Sequence, residues 1–114
     1  MLFITIVRIS NLIKRQKIFI TGRVQGVGFR PAVYRLAHGL DLSGIVYNDT
    51  KGVTIELQGK KEKIEEFLTR LQSDSDKPPL AKIKTCDVVE IPVIEVEGKF
   101  TIQTSDSKEN RYLR

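Results

Sequence analysis

The chain has 114 residues, of which 40% are hydrophobic and 29% charged, a length and balance typical of one globular domain with a single core. Cys86 is the only cysteine, which excludes an internal disulfide and a multi-cysteine metal site within one chain and favours a reducing, cytoplasmic setting. The net charge of +5 is carried by the first 30 residues, which hold six basic and no acidic side chains, whereas the rest hold 13 basic and 14 acidic ones.

Residues 1–16 precede the first clear strand pattern and are expected to form an N-terminal extension, either an additional edge strand or a disordered arm. Met1–Val7 are apolar, but Arg8 interrupts them well short of the roughly 20 residues that a membrane helix needs. The segment also lacks the basic leader and small-residue cleavage site of a secretory signal. We therefore expect no membrane association, and a solvated basic arm is favoured over a polyanion-binding surface.

A strand, a glycine-containing turn and a helix follow. Lys17–Val24 show the period-two alternation of a strand. Gln25–Arg30 contain two glycines and an arginine, and a turn there would aim backbone amides and one guanidinium at one point, which suits an anion such as phosphate. Pro31 suits the start of a helix that ends near Gly39. The apolar stripe of this helix consists of Val33, Leu36, Ala37 and Leu40.

The remaining elements are two strands joined by a hairpin, a second helix and two further strands, followed by a polar C-terminal tail over residues 105–114. The first strand is predicted over Ser43–Asn48, and a loop to Gly52 joins it to a strand whose inward residues are Val53, Ile55 and Leu57. The second helix is predicted over Lys60–Gln72, with inward residues Ile64, Phe67, Leu68 and Leu71. The last two strands are predicted over Lys82–Ile91 and around Phe100 and Ile102. The alternation of Lys82–Ile91 is broken, which predicts a β-bulge.

This order predicts an α+β fold, a ferredoxin-like βαββαβ sandwich with two helices packed on one face of an antiparallel sheet and a short extra C-terminal strand. A right-handed crossover makes the first two strands parallel, with the third between them. The glycine turn and Asn48 therefore lie at the ends of two parallel strands on the same edge of the sheet, with one strand between them, about 10 Å apart at the backbone.

Taken alone, the glycine turn is not specific. The third glycine of a dinucleotide-binding G-x-G-x-x-G motif would fall on Pro31, and no Gly-Lys-Ser/Thr of a P-loop follows. The glycines could serve only a tight turn, and Asn48-Asp49 before Lys51-Gly52 could be simple hairpin chemistry. His38 and Cys86 are expected to be structural, and Thr50 and Lys51 to be solvated turn residues.

Taken together, Gly22–Arg30, Gly44–Asn48 and Lys51–Val53 resemble the acylphosphatase family in order and spacing. The resemblance covers about Lys17–Gln103, so an acylphosphatase-like domain is expected over residues 17–104. Within the family, Pro31, Asn48-Asp49 and Pro78–Ile83 are most similar to the N-terminal acylphosphatase-like domain of HypF, the hydrogenase-maturation carbamoyltransferase.

The resemblance implies hydrolysis of a carboxyl-phosphate anhydride to carboxylate and phosphate, with no cofactor or metal, and the HypF likeness implies carbamoyl phosphate as substrate. It makes Arg30 and Asn48 the catalytic residues: the Arg30 guanidinium binds the phosphoryl group and Asn48 orients the attacking water. These residue types suit such roles, since a guanidinium binds oxyanions bidentately and an amide accepts from water without ionising. The backbone amides implied in phosphate binding are those of Gln25, Gly26, Val27, Gly28, Phe29 and Arg30.

Two other classes of function stay open at this stage. One is a non-hydrolytic module that captures an acyl phosphate or contacts hydrogenase-maturation proteins, because the cysteine pairs and later domains of HypF do not occur in these 114 residues. The chain is accordingly either an excised or split-off domain or a free-standing acylphosphatase. The other class, nucleic-acid binding, is disfavoured because the central strands lack the aromatic pair on which bases stack.

Overall fold

Five strands and two helices make up the computed structural model, which describes residues 12–73, 77–95 and 98–103. The elements are β1 (Ile13–Arg23), α1 (Phe29–Gly39), β2 (Ser43–Asn48), β3 (Gly52–Lys60), α2 (Lys61–Leu71), β4 (Lys82–Ile91) and β5 (Thr101–Ile102). Both helices pack on one face of the sheet, where apolar side chains from all layers form one core. Of the predicted inward-facing residues, Leu68 is partly buried, and the buried ones are Val33, Leu36, Ala37, Leu40, Val53, Ile55, Leu57, Ile64, Phe67 and Leu71.

The strand order is β4-β1-β3-β2-β5. β3 runs antiparallel to both β1 and β2, so β1 and β2 are parallel with β3 between them, as predicted. The pairings among β4, β1, β3 and β2 are all antiparallel, as predicted, and the short extra strand β5 pairs with β2 in parallel, so the five-stranded sheet is mixed. β4 runs antiparallel to β1, so it ends on the side of the sheet where β1 and β2 begin. The chain therefore enters β5 from that side, and β5 runs in the same direction as β2.

Two elements begin earlier than the sequence pattern predicts. β1 starts at Ile13 rather than Lys17, because residues 13–16 continue the antiparallel pairing with β3. Arg15 in this extension is charged but buried within the sheet, with only 4% of its surface exposed. Its guanidinium donates to Glu56 Oε1 at 2.9 Å and to Gln58 Oε1 at 3.2 Å. α1 starts at Phe29, which places Pro31 in the first turn, where a missing amide hydrogen still costs no helical hydrogen bond. The predictions for residues 1–11 and 105–114 lie outside the described residues.

The predicted bulge in β4 is confirmed. Thr21 pairs with Thr85 and Gly22 pairs with Ile83, which leaves Lys84 as the extra residue. The bulge shifts the side-chain alternation by one position, so Ile83 and Cys86 both pack against the core.

Replacing Arg15 with alanine is expected to lower the free energy of unfolding by about 2 kcal/mol, because Glu56 and Gln58 lose a buried donor. Urea denaturation measures this change. The matched control is Lys14→Ala, since the Lys14 Nζ pairs with Glu90 Oε2 at 3.0 Å near the surface and such a pair contributes at most about 1 kcal/mol. Equal losses in the two variants would contradict the role of burial.

Candidate active site

A turn between β1 and α1 provides the first half of the site, and we call Gln25–Arg30 the cradle. Gly26 and Gly28 have φ of 73° and 80°, in the left-handed region that costs other residues roughly 1–2 kcal/mol. Val24 and Phe29, each 1% exposed, anchor the turn in the core on both sides. Gly28 caps α1, and the first turn of this helix has no acidic residue. The amides at this end have no intrahelical acceptor, so the cradle favours an anion.

Arg30, the second residue of α1, is partly buried and held by the end of β5. Its NH1 donates to the Gln103 backbone oxygen at 2.9 Å, and the Gln103 amide donates to the Val46 oxygen at 2.9 Å. Because Val46 lies two residues before Asn48 on β2, these two bonds connect the guanidinium to the strand that carries Asn48. No other acceptor for the guanidinium occurs in the described part of the chain, so further donors remain for an oxyanion.

Asn48 is the last residue of β2 and pairs with Val53 of β3. Its side-chain oxygen Oδ1 is buried and accepts no hydrogen bond from the described residues. A buried acceptor without a partner costs about 1–3 kcal/mol, so such atoms are usually satisfied unless a ligand or reactant uses them. Oδ1 is therefore an acceptor for which the described residues supply no donor.

The Gln25 side chain connects the cradle to the loop that follows Asn48. Its Nε2 donates to the backbone oxygens of Asp49 and Gly52, both at 2.8 Å. Only the backbone amide of Gln25 was predicted to belong to the site, and this side-chain contact was not predicted. No sequence pattern signals it, because the acceptors are backbone oxygens more than 20 residues away.

Asp49 organises the same loop. Its Oδ1 accepts hydrogen bonds from the amides of Lys51 and Gly52 at 2.8 Å each, and its Oδ2 accepts one from Thr54 Oγ1 at 2.6 Å. The alternative that Asn48-Asp49 only stabilises the hairpin therefore holds for Asp49. The side-chain oxygen of Asn48 takes no part in these hydrogen bonds. Thr50 and Lys51 are exposed on this turn.

Neither His38 nor Cys86 joins the cradle and Asn48. His38 stacks on Tyr34 near the C-terminal end of α1, away from the cradle. Burial, and secondly the charge of Asp87, raise the pKa of the Cys86 thiol, which therefore stays protonated at neutral pH. No group of three His, Cys, Asp or Glu residues that could hold a metal ion occurs within the ranges described. Nor, within those ranges, does any helix have the length and apolar character needed to cross a membrane.

Comparison with known proteins identifies the family of this chain. A family model described as Acylphosphatase matches residues 16–102. Among curated relatives, the acylphosphatase of Ligilactobacillus salivarius is 41% identical over 81 residues, which cover 70% of this chain and 88% of that protein. The carbamoyltransferase HypF of Rhizobium leguminosarum bv. viciae is 43% identical over 84 residues, which cover 74% of this chain. The chain spans only 10% of that HypF protein.

Solved structures of the same two kinds of protein superimpose on this chain. Full-length HypF in its phosphate- and nucleotide-bound form superimposes with a TM-score of 0.77 at 38% identity, over 82% of this chain and 12% of HypF. The acylphosphatase from Bacillus subtilis superimposes with a TM-score of 0.70 at 30% identity, over 82% of this chain and all of that protein.

Proposed function

Because the chain belongs to the acylphosphatase family, we propose that it hydrolyses acyl phosphates at the site formed by the cradle, Arg30 and Asn48. Water attacks phosphorus, the bond between phosphorus and the bridging anhydride oxygen breaks, and carboxylate and inorganic phosphate leave with release of a proton. The observation that carries the proposal is the set of hydrogen bonds that joins the two halves of the site. The Gln25 side chain and the Gln103 backbone connect the cradle to the strand and loop around Asn48.

Each group has a role that fits the reaction. The cradle amides and the Arg30 guanidinium bind the phosphoryl oxygens and neutralise their charge. Asn48 Oδ1 accepts a hydrogen bond from the attacking water and fixes its direction. Phosphoryl transfer depends mainly on such positioning and charge stabilisation. A carboxylate is a weak base and departs without protonation, so the reaction proceeds without a general acid.

The test is phosphate release from benzoyl phosphate in the presence of a chelator. We expect turnover proportional to protein concentration and far above spontaneous hydrolysis. In ¹⁸O-labelled water the label should enter inorganic phosphate, whereas attack at the carbonyl carbon would place it in benzoate. Absence of turnover, or label in benzoate, would contradict the proposed reaction.

The likeness to HypF favours carbamoyl phosphate as the substrate and hydrogenase-maturation proteins as partners. Comparison of kcat/KM for carbamoyl, acetyl and benzoyl phosphates tests the substrate, and a higher value for carbamoyl phosphate is expected. A non-hydrolytic capture module would instead bind inorganic phosphate by calorimetry and turn over none of the three compounds.

A further inference from the structure

Building on the proposed function, we propose that Gln25 is a positioning residue whose side-chain amide fixes Asn48 relative to the bound phosphoryl group. The amide nitrogen carries two hydrogens, and it has two backbone acceptors, Asp49 O and Gly52 O, both at 2.8 Å. Both donors are therefore directed at the hairpin and not at the substrate.

The two acceptors lie at opposite ends of one tight loop. That loop is closed internally, because the Asp49 amide donates to Gly52 O at 2.9 Å and the Asp49 carboxylate accepts from the Lys51 and Gly52 amides. A closed loop moves as a unit, and a single hydrogen bond would let it pivot. Two bonds to acceptors three residues apart resist both rotation and displacement of the loop.

The sheet alone does not provide this restraint. Asn48 pairs with Val53 at the last register position between β2 and β3, which fixes its backbone relative to the sheet but not to the N-terminus of α1. The Gln25 side chain is a direct hydrogen-bonded link from the cradle to the loop next to Asn48 in the described chain. Loss of the link should misplace the attacking water while the groups that bind phosphate stay in place.

A double-mutant cycle tests this proposal with Gln25→Met, Asn48→Ala and the combined variant. In the otherwise unchanged protein, Gln25→Met should lower kcat about 10- to 100-fold and leave the inhibition constant for inorganic phosphate within about twofold. In the Asn48→Ala protein the same change should have almost no further effect. Equal reductions of kcat in both backgrounds, or no reduction in the first, would overturn the proposal.

Gln72→Met is the matched control. The Gln72 side chain also donates to a backbone oxygen, that of Leu68 at 3.2 Å, but on the exposed end of α2. It should leave kcat unchanged, and unfolding curves of all variants show whether each is folded at the assay temperature.

A second readout separates failure of this inference from failure of the proposed function. In ligand-free protein, Gln25→Met should shift the NMR signals of the Asn48 side-chain amide, whereas Gln72→Met should not. This measurement needs no turnover. Unchanged Asn48 signals would overturn the positioning role, and an inactive wild-type protein with shifted signals would overturn only the proposed reaction.

Discussion

Replacing Arg30 with glutamine is expected to lower kcat/KM for an acyl phosphate about a thousandfold and to weaken binding of inorganic phosphate. Glutamine keeps a hydrogen-bond donor but loses the positive charge and the planar fork that binds two phosphoryl oxygens. Steady-state kinetics and inhibition by phosphate measure both changes. Arg30→Lys restores the charge without the fork, so it should recover only part of the loss.

Arg35 provides the control for this substitution. It lies five residues further along α1 and is exposed, beside Arg70 rather than beside the cradle. Arg35→Gln makes the same change in net charge and should leave kcat/KM unchanged. If Arg30→Gln and Arg35→Gln reduce the rate equally, the loss reflects the overall field of the protein and not a contact with the substrate.

Replacing Asn48 with alanine is expected to lower kcat about 100- to 1,000-fold while the affinity for inorganic phosphate stays near that of the wild type. The substitution removes the acceptor proposed to direct the attacking water, whereas it retains the cradle amides and Arg30, which are proposed to bind the phosphoryl group. Single-turnover kinetics report the chemical step directly, and calorimetry reports phosphate binding.

Asn48→Asp separates positioning from charge. The aspartate has nearly the same shape and keeps an acceptor oxygen, but its negative charge would repel the phosphoryl group. We expect it to lose both kcat and phosphate affinity, in contrast to the alanine variant. Loss of phosphate affinity in Asn48→Ala would contradict the assignment of Asn48 to the water and would place it instead among the phosphate ligands.

The parts of the fold that follow local rules were predictable from the sequence. The spacing of Val33, Leu36 and Ala37 gives the buried side of α1 directly, and the broken alternation near Cys86 gives the bulge. Arg15 could not be placed in this way, because its burial depends on Glu56, which lies 41 residues away in sequence and next to it in space. Sequence alone predicts that a charged residue lies at the surface unless its buried partner is known.

The same distinction applies to the site. The cradle glycines and Arg30 could be identified from the sequence, because backbone conformation and charge are local properties. The side-chain contact of Gln25 and the contact of Arg30 with the Gln103 oxygen depend on where distant loops and the last strand come to lie. Their acceptors are backbone oxygens, which every residue has, so no residue type indicates them.

The anchoring of the cradle by Val24 and Phe29 also affects the end of the catalytic cycle. A turn held in the core on both sides has its shape before any ligand arrives, so little ordering entropy is lost on binding. In the proposed reaction, however, the phosphoryl group that the cradle binds is present both in the substrate and in the departing phosphate. In that reaction, tight binding of the substrate is coupled to slow release of the product, and the turnover rate depends on the balance between the two.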